Sequence, residues 1–227
     1  MKKSLIALAV LAASGAAMAQ SSVTLYGIAD IYVAKVKGQS AAAGSGGVNT
    51  SRLGFKGSED LGGGLSAIFQ FEQKLSLGDG STNDKLFDRQ ANVGLAGGFG
   101  TLKLGRNWNA MDDVFGASNS GFDSALSANA VWQNSYTGAA DAQLYYATPE
   151  FAGVSGAVST QLTGNVPAGA KRISAGHVKY AGGPVAVALG YETNEVGQKG
   201  TMLNGSYDLG AAKLLASYYT TKDTGGV

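Results

Sequence analysis

Apolar and polar positions alternate with a period of two along most of the chain. In Val185-Ala-Val-Ala-Leu-Gly-Tyr191 the odd positions carry Val, Val, Leu and Tyr, and the even ones only Ala and Gly. In Val154–Leu162, Val154, Gly156, Val158 and Leu162 share one face, and Ser155, Ser159 and Gln161 the other. Leu65, Ala67, Phe69 and Phe71 likewise oppose Ser66, Gln70 and Glu72. Residues two apart on a strand point the same way, so each segment predicts a strand with one greasy and one wet side. Compact Gly/Pro/Asp clusters at Glu59–Gly64, Gly97–Gly100, Pro149–Gly153, Ala181–Pro184 and Asp208–Gly210 alternate with longer polar stretches near 37–50, 76–85, 109–138, 163–171 and 194–200. Short turn, long loop, short turn is the rhythm of an up-and-down antiparallel meander, here of about eleven strands. No composition break marks a linker, so residues 20–227 read as one domain.

The first residues follow a different rule. Met1-Lys2-Lys3 is a positively charged start, Leu5–Ala13 a short apolar run, and Ala17-Met18-Ala19 a small-x-small pattern. Residues 1–19 therefore read as a secretory signal peptide cleaved after Ala19. Beyond Gln20 no apolar run reaches the ~20 residues of a spanning helix. A bilayer admits only helices or closed barrels, because unpaired backbone groups in hydrocarbon cost several kcal/mol each. A soluble exported β-sandwich that binds a ligand also alternates in this way and is the rival expectation, but export, strands near the ~10 residues of a tilted membrane strand and alternating loop lengths favour an all-β transmembrane barrel. Tyr26, Tyr32, Phe55, Phe71, Tyr146, Tyr180, Tyr191, Tyr207 and Tyr218, near strand ends, are expected in its interfacial girdles.

Composition narrows the chemistry. The chain has 227 residues, 35 of them Gly, with 15% charged residues and a formal charge of +1. That balance supplies no electrostatic reason to bind nucleic acid. Zero Cys excludes disulfides, thiolate metal sites and a Cys nucleophile, and a single His excludes the familiar multi-histidine metal sites. Gly164–Lys171 fails as a phosphate loop, since Lys is one position late and Arg172 replaces Ser or Thr. Gly98-Phe-Gly100 lacks the third Gly of a dinucleotide fingerprint and joins two strands. The chain is read as a non-enzyme with no cofactor and no metal.

Five segments carry a family resemblance. Ser22-Val-Thr-Leu-Tyr-Gly-Ile-Ala-Asp30 resembles the first strand of Gram-negative trimeric general porins, most closely the beta-proteobacterial type. Ser51–Gln70, Asp88–Arg106, Tyr146–Gly156 and Tyr207–Leu214 resemble the strands and turns that follow. The resemblance implies a barrel of about sixteen strands, of which this chain supplies about eleven, so it reads as an N-terminal fragment. It implies an outer-membrane channel for passive diffusion of ions and small hydrophilic solutes, embedded in lipid and assembled as a homotrimer. The competing reading is a surface antigen or adhesin of the same fold without conductance.

The resemblance also implies the constriction. A long third loop, here within residues 109–138, folds into the pore and sets acids against basic wall residues, giving a transverse field. The candidate acids are Asp112, Asp113 and Asp123; the candidate wall cations are Arg52, Lys56 and Arg89. The family's usual loop core survives only as Asp113-Val-Phe-Gly116, and its further wall arginine is replaced near Ala139. Period two points Ser66, Gln70, Glu72, Lys74, Asp141, Gln143, His177, Lys179, Glu192 and Lys213 into the lumen. It leaves the facing of Lys103 and Arg106 open.

Overall fold

The computed structural model describes residues 22–115 and 136–223. The expected signal peptide, its cleavage point and Asp123 lie outside the described residues. The sheet begins with β1 (Ser22–Ile28) and continues with β4 (Arg52–Gly62), β5 (Leu65–Lys74), β6 (Gln90–Gly97), β7 (Gly100–Trp108) and β8 (Ala139–Ala147). It is completed by β9 (Val154–Gln161), β10 (Ser174–Gly182), β11 (Val185–Thr193), β12 (Lys199–Asp208) and β13 (Lys213–Lys222). These form one 11-stranded sheet in the order β1-β4-β5-β6-β7-β8-β9-β10-β11-β12-β13, every neighbouring pair antiparallel. The meander expected from the turn rhythm is therefore the observed topology. Among the described residues β1 pairs with β4 alone and β13 with β12 alone.

The first long loop, polar and irregular in sequence, contains a second, smaller sheet. β2 (Ile31–Ala34) and β3 (Ala42–Ser45) form a separate two-stranded hairpin. The Tyr32 ring lies over Gly44 and Gly47, where a Cβ would come within 2.5 and 2.7 Å of it. Asp30 ties the far end of this loop down. Its carboxylate accepts the backbone N–H groups of Gly47 (3.0 Å), Val48 (2.8 Å) and Asn49 (2.7 Å). The N–H groups of Asn49, Val48 and Gly47 hold its carboxyl below the usual range, because they bond the charged form. At the opposite end of the sheet, β4 turns into β5 through Gly62, Gly63 and Gly64, all at positive φ (83°, 63° and 79°). Only glycine enters that region without steric cost, so the triplet makes a tight return.

The two faces of the sheet differ chemically. Val23, Leu25, Val93, Val158, Val178, Leu189, Leu203 and Leu214 stand out on one face, with Val23 70% and Val158 58% exposed. Soluble monomers seldom expose contiguous apolar patches above a few hundred Å². With backbone groups paired across neighbouring strands, this is the face that hydrocarbon covers. The opposite face carries Glu72, Asn92, Gln143, Ser159, Gln161, Glu192 and Asn204, all buried. The structure corrects one member of the expected girdle: Tyr26 pairs with Gly54 on the polar face and bonds Glu72. It also corrects Asp141. A bulge at Ala142 (φ 47°), opposite the Gly105/Asn107 register shift, breaks the alternation. Gln143 stays fully buried, whereas Asp141 is half-exposed and pairs with Arg106 (2.6 Å) and Lys85 (2.5 Å).

Two measurements test this account. The native chain has no Cys, so Val178→Cys and Lys179→Cys each introduce a unique thiol. In lipid vesicles the first reacts with a lipid-soluble maleimide and the second with a charged, impermeant one; equal labelling of both refutes the two-faced sheet. For Asp30, a depressed carboxyl adds stability above its unfolded value of ~3.9, and that stability is lost as pH falls through the lower folded value. Hydrogen-exchange protection of the Gly47, Val48 and Asn49 amides is therefore retained at neutral pH and lost in strong acid. Asp30→Ala removes it at both.

Candidate functional site

One stretch leaves the sheet and returns across its polar face. After β7, Asn109 caps a single helical turn, α1 (Asp112–Phe115). Its Oδ1 accepts the N–H groups of Met111 (2.9 Å) and Asp112 (3.1 Å), satisfying donors that a helix start leaves free. Asp112 and Asp113 sit in that first turn, where the exposed N–H ends favour negative charge. The turn buries Ala110, Met111, Val114 and Phe115, each at most 4% exposed. They pack with Ala157, Ala175, Ala188 and Met202 on β9–β12. The three alanines make the seat and Met202 closes it. At Gly190 a Cβ would approach Met111 Sδ to 2.6 Å and Val114 Cγ2 to 2.7 Å.

Hydrogen bonds pin the segment at each step. Ala110 N–H donates to Ser159 Oγ (3.0 Å), and His177 Nδ1–H donates to the Ala110 carbonyl (2.7 Å). Asn204 Nδ2 donates to the Val114 carbonyl (2.8 Å). Glu192 grips both ends of the excursion, accepting from Asn109 Nδ2 (3.1 Å) and from Thr137 N–H (3.2 Å). The two acids are held as well. Tyr145 donates its hydroxyl to Asp113 (2.7 Å), whose carboxylate lies 3.7 Å from His177 Nδ1, and Tyr136 donates to Asp112 (2.8 Å).

The strands at the other end of the sheet gather the cations. Glu72, 4% exposed, lies between Arg52 (3.9 Å) and Arg89, whose Nε donates to Oε1. Tyr26 donates to the second carboxylate oxygen (2.9 Å), and Gln70 donates to Tyr26 (2.7 Å). The Arg89 guanidinium stacks 4.9 Å from the Trp108 ring centroid, and Arg52 also donates to Asn49. Lys56 Nζ stands 5.4 Å from the Tyr26 ring centroid, and Lys103 Nζ 4.4 Å from that of Tyr145.

The structure thus joins Arg52 and Arg89 through Glu72 and sets Asp113 against Tyr145 and His177. Lys74 and Lys179 are exposed, and the Lys74 N–H donates to Asp88 (2.8 Å). Residue patterns missed Tyr26, Tyr145, Asn109 and Trp108, because cross-strand neighbours leave no local trace. Lys103 had a usable signal: Leu102 and Leu104 set the apolar phase, which Arg106 at the bulge obscures. Among the described residues no cluster of His, Cys, Asp and Glu can hold a metal ion.

A family model described as Gram-negative porin matches residues 5–227. Outer membrane porin protein 32 of Delftia acidovorans is 38% identical over 255 residues, an alignment covering 100% of this chain and 72% of that protein. An outer membrane porin of Bordetella pertussis is 32% identical, covering 98% of this chain and 70% of its own length. Among solved structures, an anion-selective porin from Comamonas acidovorans superposes with TM-score 0.70 at 28% identity, over 91% of this chain and 70% of that one. The Salmonella typhi OmpF fold matches with TM-score 0.67 at 20% identity, covering 88% of this chain and 66% of that one.

Gly190→Val tests the seat. The added branches occupy the volume of Met111 Sδ and Val114 Cγ2, an overpacking worth about 1–3 kcal/mol. The expected outcome is a loop cleaved by protease near residues 109–115 while circular dichroism still reports the sheet. Unchanged protease resistance would show that the segment does not depend on this contact.

Proposed function

The chain belongs to the Gram-negative porin family, and from that premise we propose how its polar face governs the passage of ions and small solutes. It is an outer-membrane porin, a water-filled channel for passive diffusion. Strands that show hydrocarbon to lipid turn their polar residues to an enclosed column of water, and no bond is made or broken in transit. The observation that carries this reading is the seated segment Asn109–Phe115, which crosses the polar face and narrows whatever space that face encloses.

In our reading the constriction has two sides. Arg52, Arg89 and Lys56 form the basic wall, and Asp112, Asp113 and Asp123 the acidic loop. Low-dielectric walls strengthen the field between fixed charges relative to bulk water. The pairing of both guanidinium groups with Glu72 moderates that field: two positive charges and one negative leave a net +1 on this group, with Lys56 adding its own charge farther along the wall. Glu72 also fixes the two arginines in place, so the charge is rigid rather than borne on swinging side chains. His177, its side chain 2% exposed under the loop, acts as a clip for the Ala110 carbonyl. Assembly as a homotrimer in the outer membrane, after removal of residues 1–19, completes the proposal.

Planar-bilayer recording in a KCl gradient tests it. Stepwise ion currents are expected from the wild-type protein, and their absence would favour a surface antigen over a channel. Arg52→Ala combined with Arg89→Ala shifts the reversal potential toward cations. Glu72→Gln, which unmasks both arginines, shifts it toward anions. Reversal potentials unmoved by either change remove this triad from the conduction path.

A further inference from the structure

The hydrocarbon-facing side of β11–β13 changes character toward its long-loop end. Lys199 and Lys222 stand directly opposite each other on β12 and β13, with Thr193 of β11 beside Lys199. Both lysines are exposed. One row further along the strands come Tyr191, Thr201 and Thr220. Leu189, Leu203 and Tyr218 form the row after that, exposed on the apolar face. Residues two apart share a face, so the lysines belong to the lipid side and not to the lumen.

Like charges directly opposite on neighbouring strands are destabilising, because their Cβ atoms are only about 4.5–5.5 Å apart. Among the described residues neither lysine forms an ion pair. Asp223 follows Lys222 but accepts from Gln198 Nε2 (2.6 Å). The Glu195 carboxylate, in the β11–β12 loop, lies 3.5 Å from Thr137 Oγ1. Lys171 and Arg172, both exposed, bring further positive charge to this end, where the Lys171 N–H donates to the Glu195 carbonyl (2.7 Å). A doubly charged phosphate between Lys199 and Lys222 would relieve their repulsion.

A groove lies in line with the pair on the same face. Gly205 and Ala216 are opposite each other and too small to fill the space between Val187, Leu203 and Tyr218. The cavity they leave is about 260 Å³. Gly205 lies about 20 Å along β12 from Lys199 at ~3.3 Å per residue, within reach of an extended acyl chain. A Cβ on Gly205 would meet nothing closer than 3.6 Å, and its φ is not positive. Neither crowding nor backbone conformation therefore calls for glycine there.

We propose that the Lys199–Lys222 pair and this groove form one docking site for a lipid with a phosphate-monoester headgroup. The phosphate sits between the two ammonium groups, with the Thr201 and Thr220 hydroxyls as further donors, and an acyl chain lies in the groove. Charge-assisted bonds of this kind are the strong ones. The site rests on the barrel reading only for the contact of this face with lipid. In outer-membrane barrels the longer loops are extracellular, so the lipid belongs to the outer leaflet.

Native mass spectrometry of the full chain, folded in dodecyl maltoside micelles, counts retained lipid molecules without reference to conductance. The probes are dioleoyl phosphatidic acid and dioleoyl phosphatidylcholine, which share their chains and differ in headgroup. Phosphatidic acid is expected to bind at least about tenfold more tightly, each lysine near an anionic lipid being worth roughly fivefold. Lys199→Gln with Lys222→Gln abolishes that preference, and Lys199→Arg with Lys222→Arg keeps it. Gly205→Leu fills the groove and weakens retention of phosphatidic acid with both lysines in place. Inorganic phosphate does not displace the lipid. Equal retention of the two lipids by the wild-type protein, or an unchanged preference in the glutamine pair, overturns the site. So does displacement by inorganic phosphate or full retention in Gly205→Leu, since either leaves the acyl chain without a role. Absence of current steps with the preference intact strikes only at the channel.

Discussion

Backbone pairing in a medium without water is the constraint on which the rest depends. In hydrocarbon every N–H and C=O needs a protein partner, and a sheet supplies those partners only from neighbouring strands. Once the backbone is so engaged, side chains have two destinations, and period two assigns them alternately. The exposed Val, Leu and Tyr rows on one face and the buried Gln, Asn, Ser and Glu on the other are two readings of one alternation. A soluble sandwich reverses the assignment and buries the apolar rows. Here the inner core is instead a local patch in which the loop segment meets small residues of β9–β12. The apolar packing organises a constriction and not the whole fold.

That patch explains an otherwise odd run of wall residues. Ala157, Ala175, Ala188 and Gly190 are poor strand formers with little to pack. Their smallness is the complement of Met111 and Val114. Residues that weaken β11 locally let a loop turn approach closely enough for Asn204 and His177 to reach its carbonyls. Glu192 then closes the neck of the loop from the same wall. Strand propensity has been given up where loop placement required it, which is where local and global preferences are expected to conflict.

How much of this was visible in the residues divides along the same line. The eleven strands, their turns and the facing of Arg52, Lys56, Gln70 and Val185–Tyr191 follow from alternation, which is local. The hairpin β2–β3 is hard to see because its second strand, Ala42-Ala-Gly-Ser45, is made of small residues inside a polar stretch that imitates a plain loop. Asp141 was misplaced because one inserted residue at a bulge inverts the phase of everything beyond it. The pairing of Arg52 and Arg89 with Glu72, and of Tyr145 with Asp113, joins positions 17 to 32 residues apart. Spacing along a chain fixes a face but not which strand lies alongside, so such contacts emerge only with register.

Register also explains why the cations fall into two kinds. An arginine presents a planar fork that meets a carboxylate edge-on, so Arg52 and Arg89 are suited to share the nearly buried Glu72. Fixing them this way stiffens the wall and cancels part of its charge. A lysine ends in a compact, strongly hydrated ammonium on a flexible stem. Lys56 and Lys103 have an aromatic ring within reach and no carboxylate on the neighbouring strands at their level. Each rests its ammonium on that ring instead of sharing a carboxylate. Had the two residue types been exchanged, the fork would have lost its matching carboxylate and the point charge its freedom. The placement of each cation thus follows from what the adjacent strands offer it, and the distribution of free positive charge along the wall follows from that placement rather than from the number of basic residues.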